Sequence, residues 1–226
     1  MKWLAILDMD GTLLERRTVD VLCEKLGFLD SLREIDEASK NMWAYEVSLK
    51  IAKLFSGIKA SKLEEIFDKI PVVNGAKEFV NFLKSRGFVT AIVTDSYEFL
   101  AHRLAKKLGV DIVKGNILEV QNGVVTGNIV MPMGWEKEGQ QNCQRKAVCK
   151  LHVMNELLKE YSIENNRTLA VGDSQSDLCI IRKAKIGIAF RPKDEVITKV
   201  ADIVVHTDFY ELINKLKTFL ERCSNY

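Results

Sequence analysis

The sequence is poor in proline and has no closely spaced cysteines, which excludes two classes of protein. Three prolines and 13 glycines stand among 226 residues, so the chain is neither collagen-like nor of low complexity. The five cysteines are odd in number and contain no Cys-x-x-Cys pair, which argues against a zinc site. We expect free thiols in a reducing compartment at Cys23, Cys143, Cys149, Cys179 and Cys223.

The chain also lacks a large excess of either charge, and it lacks long apolar runs. Its formal net charge is only +2, so nothing in the composition demands nucleic acid or an anionic membrane as a partner. No apolar run reaches the roughly 18 residues of a membrane span. The run over residues 3–7 is too short for a signal peptide and stops at Asp8. We therefore expect a cytoplasmic protein, with a core sustained by 47% hydrophobic residues.

Short apolar runs alternate with helical patterns along most of the chain. Continuous apolar runs that end in polar residues are typical of strands buried on both faces of a parallel sheet. These runs cover residues 3–7, 88–93, 168–171, 186–190 and 202–205. Helical spacing separates them at residues 75–86, 96–108, 145–161 and 175–184. The alternation predicts an α/β fold with a parallel sheet.

Two segments interrupt this alternation. Residues 16–72 show helical spacing and are too long for a loop, so they predict a small helical subdomain. We place it at residues 15–74, inserted into a core formed by residues 1–14 and 75–226. Within residues 112–130, the turn residues Asn122-Gly123 between two apolar runs predict a β-hairpin.

Polar side chains follow the predicted strands at their carboxyl ends. Asp8 and Asp10 follow the run at residues 3–7, Thr94 follows the run at residues 88–93, and Asp173 follows the run at residues 168–171. In open α/β sheets, ligands bind at this edge. Clustered carboxylates repel one another, and Mg²⁺ prefers such oxygen ligands together with substrate phosphate. Asp177, four residues after Asp173, belongs near the same crevice.

Donors for a phosphate group lie in the same region of the predicted fold. The turn at Asp10-Gly11-Thr12 can direct backbone N–H groups inward, as anion-binding nests do. The helix that begins near Ser96 points its N-terminus at the crevice. Lys146 opens the helix of residues 145–161 and can reach in as a point charge.

Four motifs, in order, resemble those of the haloacid dehalogenase superfamily. They are Asp8-Met9-Asp10-Gly11-Thr12, Thr94 at a strand end, Lys146, and Gly172-Asp173-Ser174-Gln175-Ser176-Asp177. The resemblance spans residues 3 to about 215 and is nearest to phosphatases of the phosphoserine phosphatase-like branch. It implies a Rossmann-like parallel-sheet core, a small helical cap of the C1 type after the first motif, and a short β-hairpin.

The resemblance also implies a chemistry for the first motif. Asp8 would attack phosphorus and form an aspartyl-phosphate, and Asp10 would serve as general acid and then general base. Gly11 would permit the tight turn against the phosphate. The implied substrate is a small phosphorylated metabolite.

The remaining motifs imply the metal and phosphate ligands. Mg²⁺ would be held by Asp8, the carbonyl oxygen of Asp10 and Asp173, with Asp177 behind the metal or beside the lysine. Thr94 and Lys146 would hold the other phosphate oxygens. A Lys at a helix start is also an ordinary solvated charge, and Arg145 or Lys150 could be mistaken for Lys146.

The sequence differs from the phosphoserine phosphatase branch at the positions that recognise the serine part of the substrate in that branch. Arg17 stands where the branch has a Glu, and Thr94-Asp95-Ser96 replaces Ser-Gly-Gly. The serine-reading cap residues are thus replaced, and Arg17 favours a substrate with a second anionic group. Asp95 is either a minor substrate contact or part of a capping box with Glu98.

Two other functions stay open on the sequence alone. The same residues would serve a phosphotransferase that passes the phosphoryl group to an alcohol. A non-catalytic regulator on this scaffold is the other alternative, although a binding module needs no nucleophile. We expect a monomer or a homodimer.

Overall fold

A computed structural model describes the backbone of residues 2–131 and 148–224, and the side chains as far as residue 221. Lys146 and the polar loop predicted at residues 132–142 lie outside these ranges. Among the described residues, none of the helices combines the length and the apolar character that crossing a membrane would require.

A twisted sheet in the order β4-β3-β2-β1-β5-β6-β7 forms the centre of the molecule. Neighbouring strands are parallel except for β3 and β4, which are antiparallel. The strands of the described ranges are β1 (Trp3–Leu7), β2 (Phe88–Tyr97), β3 (Ile112–Gln121), β4 (Val124–Val130), β5 (Thr168–Gly172), β6 (Ile186–Phe190) and β7 (Ile203–Val205).

Helices cover both faces of this sheet. Side chains alternate along a strand, so Leu4 and Ile6 of β1 join one buried cluster while Ala5 and Leu7 join the other. This explains why the strands read as continuous apolar runs. The helices are α1 (Thr18–Leu26), α2 (Leu29–Ala38), α3 (Ala44–Leu54), α4 (Ala60–Phe67), α5 (Ala76–Ser85), α6 (Glu98–Leu108), α7 (Lys150–Glu160), α8 (Leu178–Lys183), α9 (Glu195–Thr198) and α10 (Phe209–Ser224).

The helical insertion contains α1 to α4 and leaves the sheet after β1. Its two connections to the core run side by side, because Glu15 N–H donates to the Pro71 carbonyl (3.0 Å) and Val73 N–H to the Leu13 carbonyl (2.9 Å). The insertion therefore begins and ends at one place above the carboxyl end of β1. The domain boundaries at residues 15–74 stay a prediction.

The hairpin β3–β4 bonds to the insertion through backbone groups. Gly57 N–H donates to the Val125 carbonyl (2.8 Å), and Val125 N–H donates to the Ile58 carbonyl (2.8 Å). The hairpin turn has Asn122 at φ 52° and Gly123 at φ 78°, as the Asn-Gly pair predicts. A second contact between core and insertion thus lies far from the first.

Two element boundaries differ from the sequence-based prediction. β2 continues to Tyr97 instead of ending at Val93, because Tyr97 pairs with Asn116 of β3 after a register shift. Its extension moves the start of α6 from Ser96 to Glu98. The described part of α7 begins at Lys150 and not at residue 145.

Candidate active site

A cavity of about 580 Å³ lies between the carboxyl edge of the sheet and the helical insertion. Strands β1, β2 and β5 are neighbours, so the residues that follow them meet at this edge. The core contributes polar side chains to the cavity wall, and the insertion contributes a mixture of charged and apolar ones. The core side includes Asp8, Asp10, Thr94, Asp95, Ser96, Lys150, Asp173 and Lys193; the insertion side includes Arg17, Asp36, Ser39, Trp43, Val47 and Ile51.

Asp8, Lys150 and Asp177 form a buried ion cluster at the floor of the cavity. The Lys150 ammonium contacts Asp8 Oδ1 and lies 2.5 Å from Asp177 Oδ1. Although burial lowers the pKa of Lys150, attraction to Asp177 and Asp8 raises it overall, so the ammonium stays charged. Asp177 Oδ2 accepts the N–H groups of Asp173 (3.1 Å) and Ser174 (3.3 Å), which fixes this carboxylate behind the lysine.

The side-chain oxygens of Asp8, Asp173 and Asp177 lie within 4.8 Å of one another. Burial, together with repulsion from Asp177 and Asp173, raises the pKa of Asp8 despite the contact with Lys150. Asp8 Oδ2 is buried and accepts no hydrogen bond from any described residue. Hard cations bind clustered carboxylate oxygens of this kind, and their charge would offset the repulsion, so the residues fit Mg²⁺.

Lys193 brings a second cation to this cluster. Its Nζ lies 2.6 Å from Asp173 Oδ2, while 58% of the lysine side chain is exposed. The Lys193 N–H also donates to the Asp173 carbonyl (2.8 Å), which holds the loop after β6 against the site. The ammonium balances one of the carboxylates and is free at its outer side to meet an anion.

Asp10 stands beside the nucleophile candidate with a different environment. Thr18, which is fully buried at the start of α1, donates its hydroxyl to Asp10 Oδ1 (2.5 Å). Burial raises the pKa of Asp10 to about 6, an effect that the hydrogen bonds from Thr18 only partly offset. A carboxyl group that titrates near neutrality suits general acid and base catalysis.

The turn between Asp8 and Asp10 requires glycine at its next position. Gly11 has φ 83°, and a Cβ there would lie 2.1 Å from Asp173 Oδ2. Gly11 N–H donates to the Leu14 carbonyl (3.0 Å), so this group closes the turn. Only glycine gives both the backbone conformation and the space.

The end of β2 brings a short polar segment to the cavity. Thr94 is buried, and its hydroxyl accepts the Ser96 N–H (3.0 Å), which leaves the hydroxyl proton available to a ligand. Asp95 Oδ1 accepts the Val148 N–H (3.2 Å). The capping box between Asp95 and Glu98 is not formed, since α6 starts at Glu98 with Tyr97 as its N-cap and without a side-chain cap.

Arg17 lies on the insertion side of the cavity. Its NH1 donates to Asp36 Oδ2 (2.9 Å) and to Asp20 Oδ1 (3.2 Å), and 38% of its side chain is exposed. The guanidinium is therefore already paired. Glu15, two residues earlier, pairs with Arg191 instead, at 2.5 Å from its NH1.

Three residues of the site escaped the sequence analysis, namely Thr18, Lys150 and Lys193. Lys150 was present only as a residue that Lys146 could be mistaken for; Lys146 itself lies outside the described residues. The roles of Thr18 and Lys193 depend on elements that meet only in the folded chain. Asp8, Asp10, Gly11, Thr94, Asp95, Arg17, Asp173 and Asp177 come together at the cavity or directly behind it.

Comparison with known proteins identifies the family. The family description "haloacid dehalogenase-like hydrolase" matches residues 5–182 of the chain. The chain therefore belongs to the haloacid dehalogenase-like hydrolase family, and it is a phosphatase-type member similar to phosphoserine phosphatases.

Individual relatives agree with this assignment. The phosphoserine phosphatase of Streptococcus thermophilus is 33% identical over 96% of this chain and 96% of its own. That of Archaeoglobus fulgidus is 33% identical over 89% of this chain, which spans only 56% of the relative's length. A solved structure, described as a phospho-aspartyl intermediate analogue of phosphoserine phosphatase, is 25% identical, with TM-score 0.77 over 95% of this chain and 98% of the other.

Proposed function

We propose that the protein is a Mg²⁺-dependent phosphatase that hydrolyses a small phosphomonoester through an aspartyl-phosphate on Asp8. The observation that carries this proposal is the state of the Asp8 carboxylate. Lys150 holds Oδ1, while Oδ2 is buried at the cavity floor and accepts no hydrogen bond from the described residues. An oriented carboxylate with one uncommitted oxygen is what nucleophilic attack on phosphorus needs.

The first half-reaction breaks the ester bond. Asp8 Oδ2 attacks phosphorus, the bond to the alcohol oxygen breaks, and the Asp10 carboxyl donates its proton to that oxygen. Thr18 holds the Asp10 side chain in place. Charge that develops on the phosphoryl oxygens faces the Thr94 hydroxyl and the Lys150 ammonium.

The second half-reaction restores the carboxylate. Asp10, now deprotonated, accepts a proton from a water molecule, whose oxygen attacks phosphorus as the bond to Asp8 breaks. Inorganic phosphate leaves, and Asp10 is again a carboxylic acid. The raised pKa of Asp10, about 6, lets the group take both states near neutral pH.

Magnesium would be held by Asp8, Asp173 and the Asp10 carbonyl oxygen, with Asp177 behind them. Bound there, it supplies positive charge that lets an anionic nucleophile approach an anionic phosphate. Lys193 adds a cation on the same side, within reach of Asp173. Lys146 stays the phosphate contact that the sequence predicts, and Lys150 is the lysine that the structure brings to Asp8.

The substrate is a small phosphorylated metabolite. The relatives named above are phosphoserine phosphatases, and the cavity of about 580 Å³ has room for a ligand of that size class. On the insertion side of the cavity, the Arg17 guanidinium pairs with Asp36. A second anionic group on the substrate would compete with Asp36 for this guanidinium. Cys23, Cys149 and Cys179 form no disulfide. We place the reaction in the cytoplasm, in a monomer or a homodimer, as the sequence predicts.

Phosphate release from p-nitrophenyl phosphate, measured with Mg²⁺ and with a chelator, tests the proposal. We expect metal-dependent turnover in the wild type and a loss of at least about 1,000-fold in Asp8→Asn, since the nucleophile is gone. Asp30→Asn is the matched control, because that side chain is 93% exposed on α2.

Two outcomes would contradict the proposal. Full activity in Asp8→Asn would remove the nucleophile assignment. Turnover that requires an added alcohol, with phosphorylated alcohol as the product, would replace hydrolysis by phosphoryl transfer.

A further inference from the structure

Ser96 places an unsatisfied hydroxyl in the wall of the cavity. The residue is 4% exposed, and its Oγ has no hydrogen-bond partner among residues 2–131 and 148–224. Buried hydroxyl groups are nearly always hydrogen-bonded, because an unmet one loses its hydration without compensation. Ser96 also lines the cavity, so a bound ligand can meet this hydroxyl.

The backbone around Ser96 is firmly held. Its N–H donates to Thr94 Oγ1 (3.0 Å), and Asn116 Nδ2 donates to the Asp95 carbonyl (2.7 Å). Gly115 of β3 packs so closely that a Cβ there would lie 3.1 Å from the Ser96 carbonyl oxygen. The hydroxyl is therefore fixed on the end of a paired strand and is preorganised for binding.

The strand register tells which part of a ligand Ser96 meets. β1 pairs Leu7 with Ile92, so Asp8 is level with Val93. Ser96 lies three residues further along β2, at most about 10 Å beyond that level at the usual rise of a strand. A phosphoryl group on Asp8 lies below Ser96. The remainder of the ligand, directed towards the insertion, lies beside it.

We propose that the Ser96 hydroxyl hydrogen-bonds the alcohol part of the substrate and selects for a polar group close to the ester oxygen. The chemical class is a phosphomonoester whose alcohol carries a hydroxyl, amino or carboxylate group a few bonds from the phosphate. Esters of purely apolar alcohols leave the hydroxyl unmet and are used less well. This inference rests on the proposed phosphatase function, whose substrate class it narrows.

Matched pairs of esters test this role. In 2-hydroxyethyl phosphate and propyl phosphate, a hydroxyl replaces a methyl at constant size; 2-aminoethyl and carboxymethyl phosphate extend the polar set. We expect the ratio of kcat/KM values, polar over apolar, to fall about 3- to 10-fold in Ser96→Ala for the best polar ester, as one lost hydrogen bond predicts. The ratio should not change in Ser85→Ala, whose hydroxyl is exposed and bonded to the Phe82 carbonyl.

The outcomes separate a specificity role from a structural one. An unchanged ratio in Ser96→Ala would overturn the inference, and so would an equal loss for propyl phosphate, since that indicates contact with phosphate or damage to the fold. Melting temperatures of the variants show whether the fold is intact, and Ser96→Gly repeats the test with a smaller side chain.

The failure of the proposed function would look different. In that case the wild type turns over none of these esters. Titration calorimetry of 2-hydroxyethyl and propyl phosphate then still measures the role of Ser96, because binding needs no turnover. Weaker binding of the polar ester alone in Ser96→Ala supports the inference, and equal binding to both proteins contradicts it.

Discussion

At the scale of single residues, the site is defined by how buried charges are paired. Lys150 is 3% exposed at its side chain and lies between Asp8 and Asp177, which are 8% and 0% exposed. Removing one member of a buried pair leaves an uncompensated charge, which costs more than the pair itself contributes. The lysine thus holds the nucleophile and also keeps the carboxylates compatible with burial.

Replacing Lys150 tests this double role. We expect Lys150→Met to lower kcat by about 100- to 1,000-fold, as for removal of one donor to a developing oxyanion. The free energy of unfolding, measured in urea with chelator present, should fall by about 3 kcal/mol. Lys159→Met, at an exposed position on the same helix, is the control.

Lys146→Met, compared with Lys150→Met, shows which of the two lysines is needed for activity. The sequence favours Lys146 and the structure brings Lys150 to Asp8. A large loss of activity in Lys146→Met together with none in Lys150→Met would contradict the assignment made from the structure.

The sequence predicts most of the carboxylates but not their counter-charges. Asp8 and Asp173 are recognisable because each directly follows a buried strand, and Asp10 lies two residues after Asp8, so local pattern alone places all three at one edge. Lysines are different, since a long flexible side chain can reach the site from several positions along a helix. Lys150 and Lys193 are selected by where α7 and the loop after β6 pack, which is a long-range property.

At the scale of elements, local pattern was most reliable where a strand is buried on both faces. β1 and β6 match their predicted ranges, and the Asn122-Gly123 turn fixes the hairpin. β2 was predicted too short, because its last residues pair with β3, which no pattern within β2 reveals. That extension carries Ser96 into the cavity wall, so a missed boundary also hid a candidate ligand contact.

A row of aromatic rings fixes α10 against the sheet. Phe209 stacks on Phe190 of β6 (centroids 4.4 Å apart) and on Phe79 of α5 (5.1 Å). All three side chains are fully buried. The row therefore joins three elements that are distant in the chain.

Truncating the central ring should destabilise the fold and spare the chemistry. We expect Phe209→Ala to lower the free energy of unfolding by about 3–5 kcal/mol through lost burial and a residual cavity. Tyr210→Ala, at the neighbouring position with 44% exposure, should cost less than half as much. Chemical denaturation measures both, and activity below the melting transition checks the site. A cost for Phe209→Ala no larger than that for Tyr210→Ala would contradict this packing role.

At the scale of the whole molecule, the ammonium groups of Lys150 and Lys193 offset part of the repulsion among the three clustered carboxylates, and a bound metal ion would offset more of it. A metal that binds only the folded chain stabilises it by mass action. The effect should therefore be visible without any substrate.

Thermal unfolding with and without Mg²⁺ measures this linkage. At about 100 times the dissociation constant we expect stabilisation of about 2.7 kcal/mol, which raises the melting temperature by about 5–10 °C for a chain of this size. Asp173→Asn should lose most of the shift, whereas Asp30→Asn should keep it. An equal rise in all three proteins would show that Mg²⁺ acts elsewhere.

The double attachment of the helical insertion limits how the cavity can open. The two segments that connect the insertion to the core lie side by side, bonded at Glu15–Pro71 and Leu13–Val73. With these connections alone, the insertion could rotate as a rigid body about a single hinge axis. The hydrogen bonds between Val125 of β4 and residues Gly57 and Ile58 attach the insertion at a second point and oppose this rotation. The insertion can rotate only if β3 and β4 move with it. Because β4 is the outermost strand of the sheet, it can bend without disturbing the parallel strands, and we expect the flexibility of this hairpin to govern how readily the cavity opens.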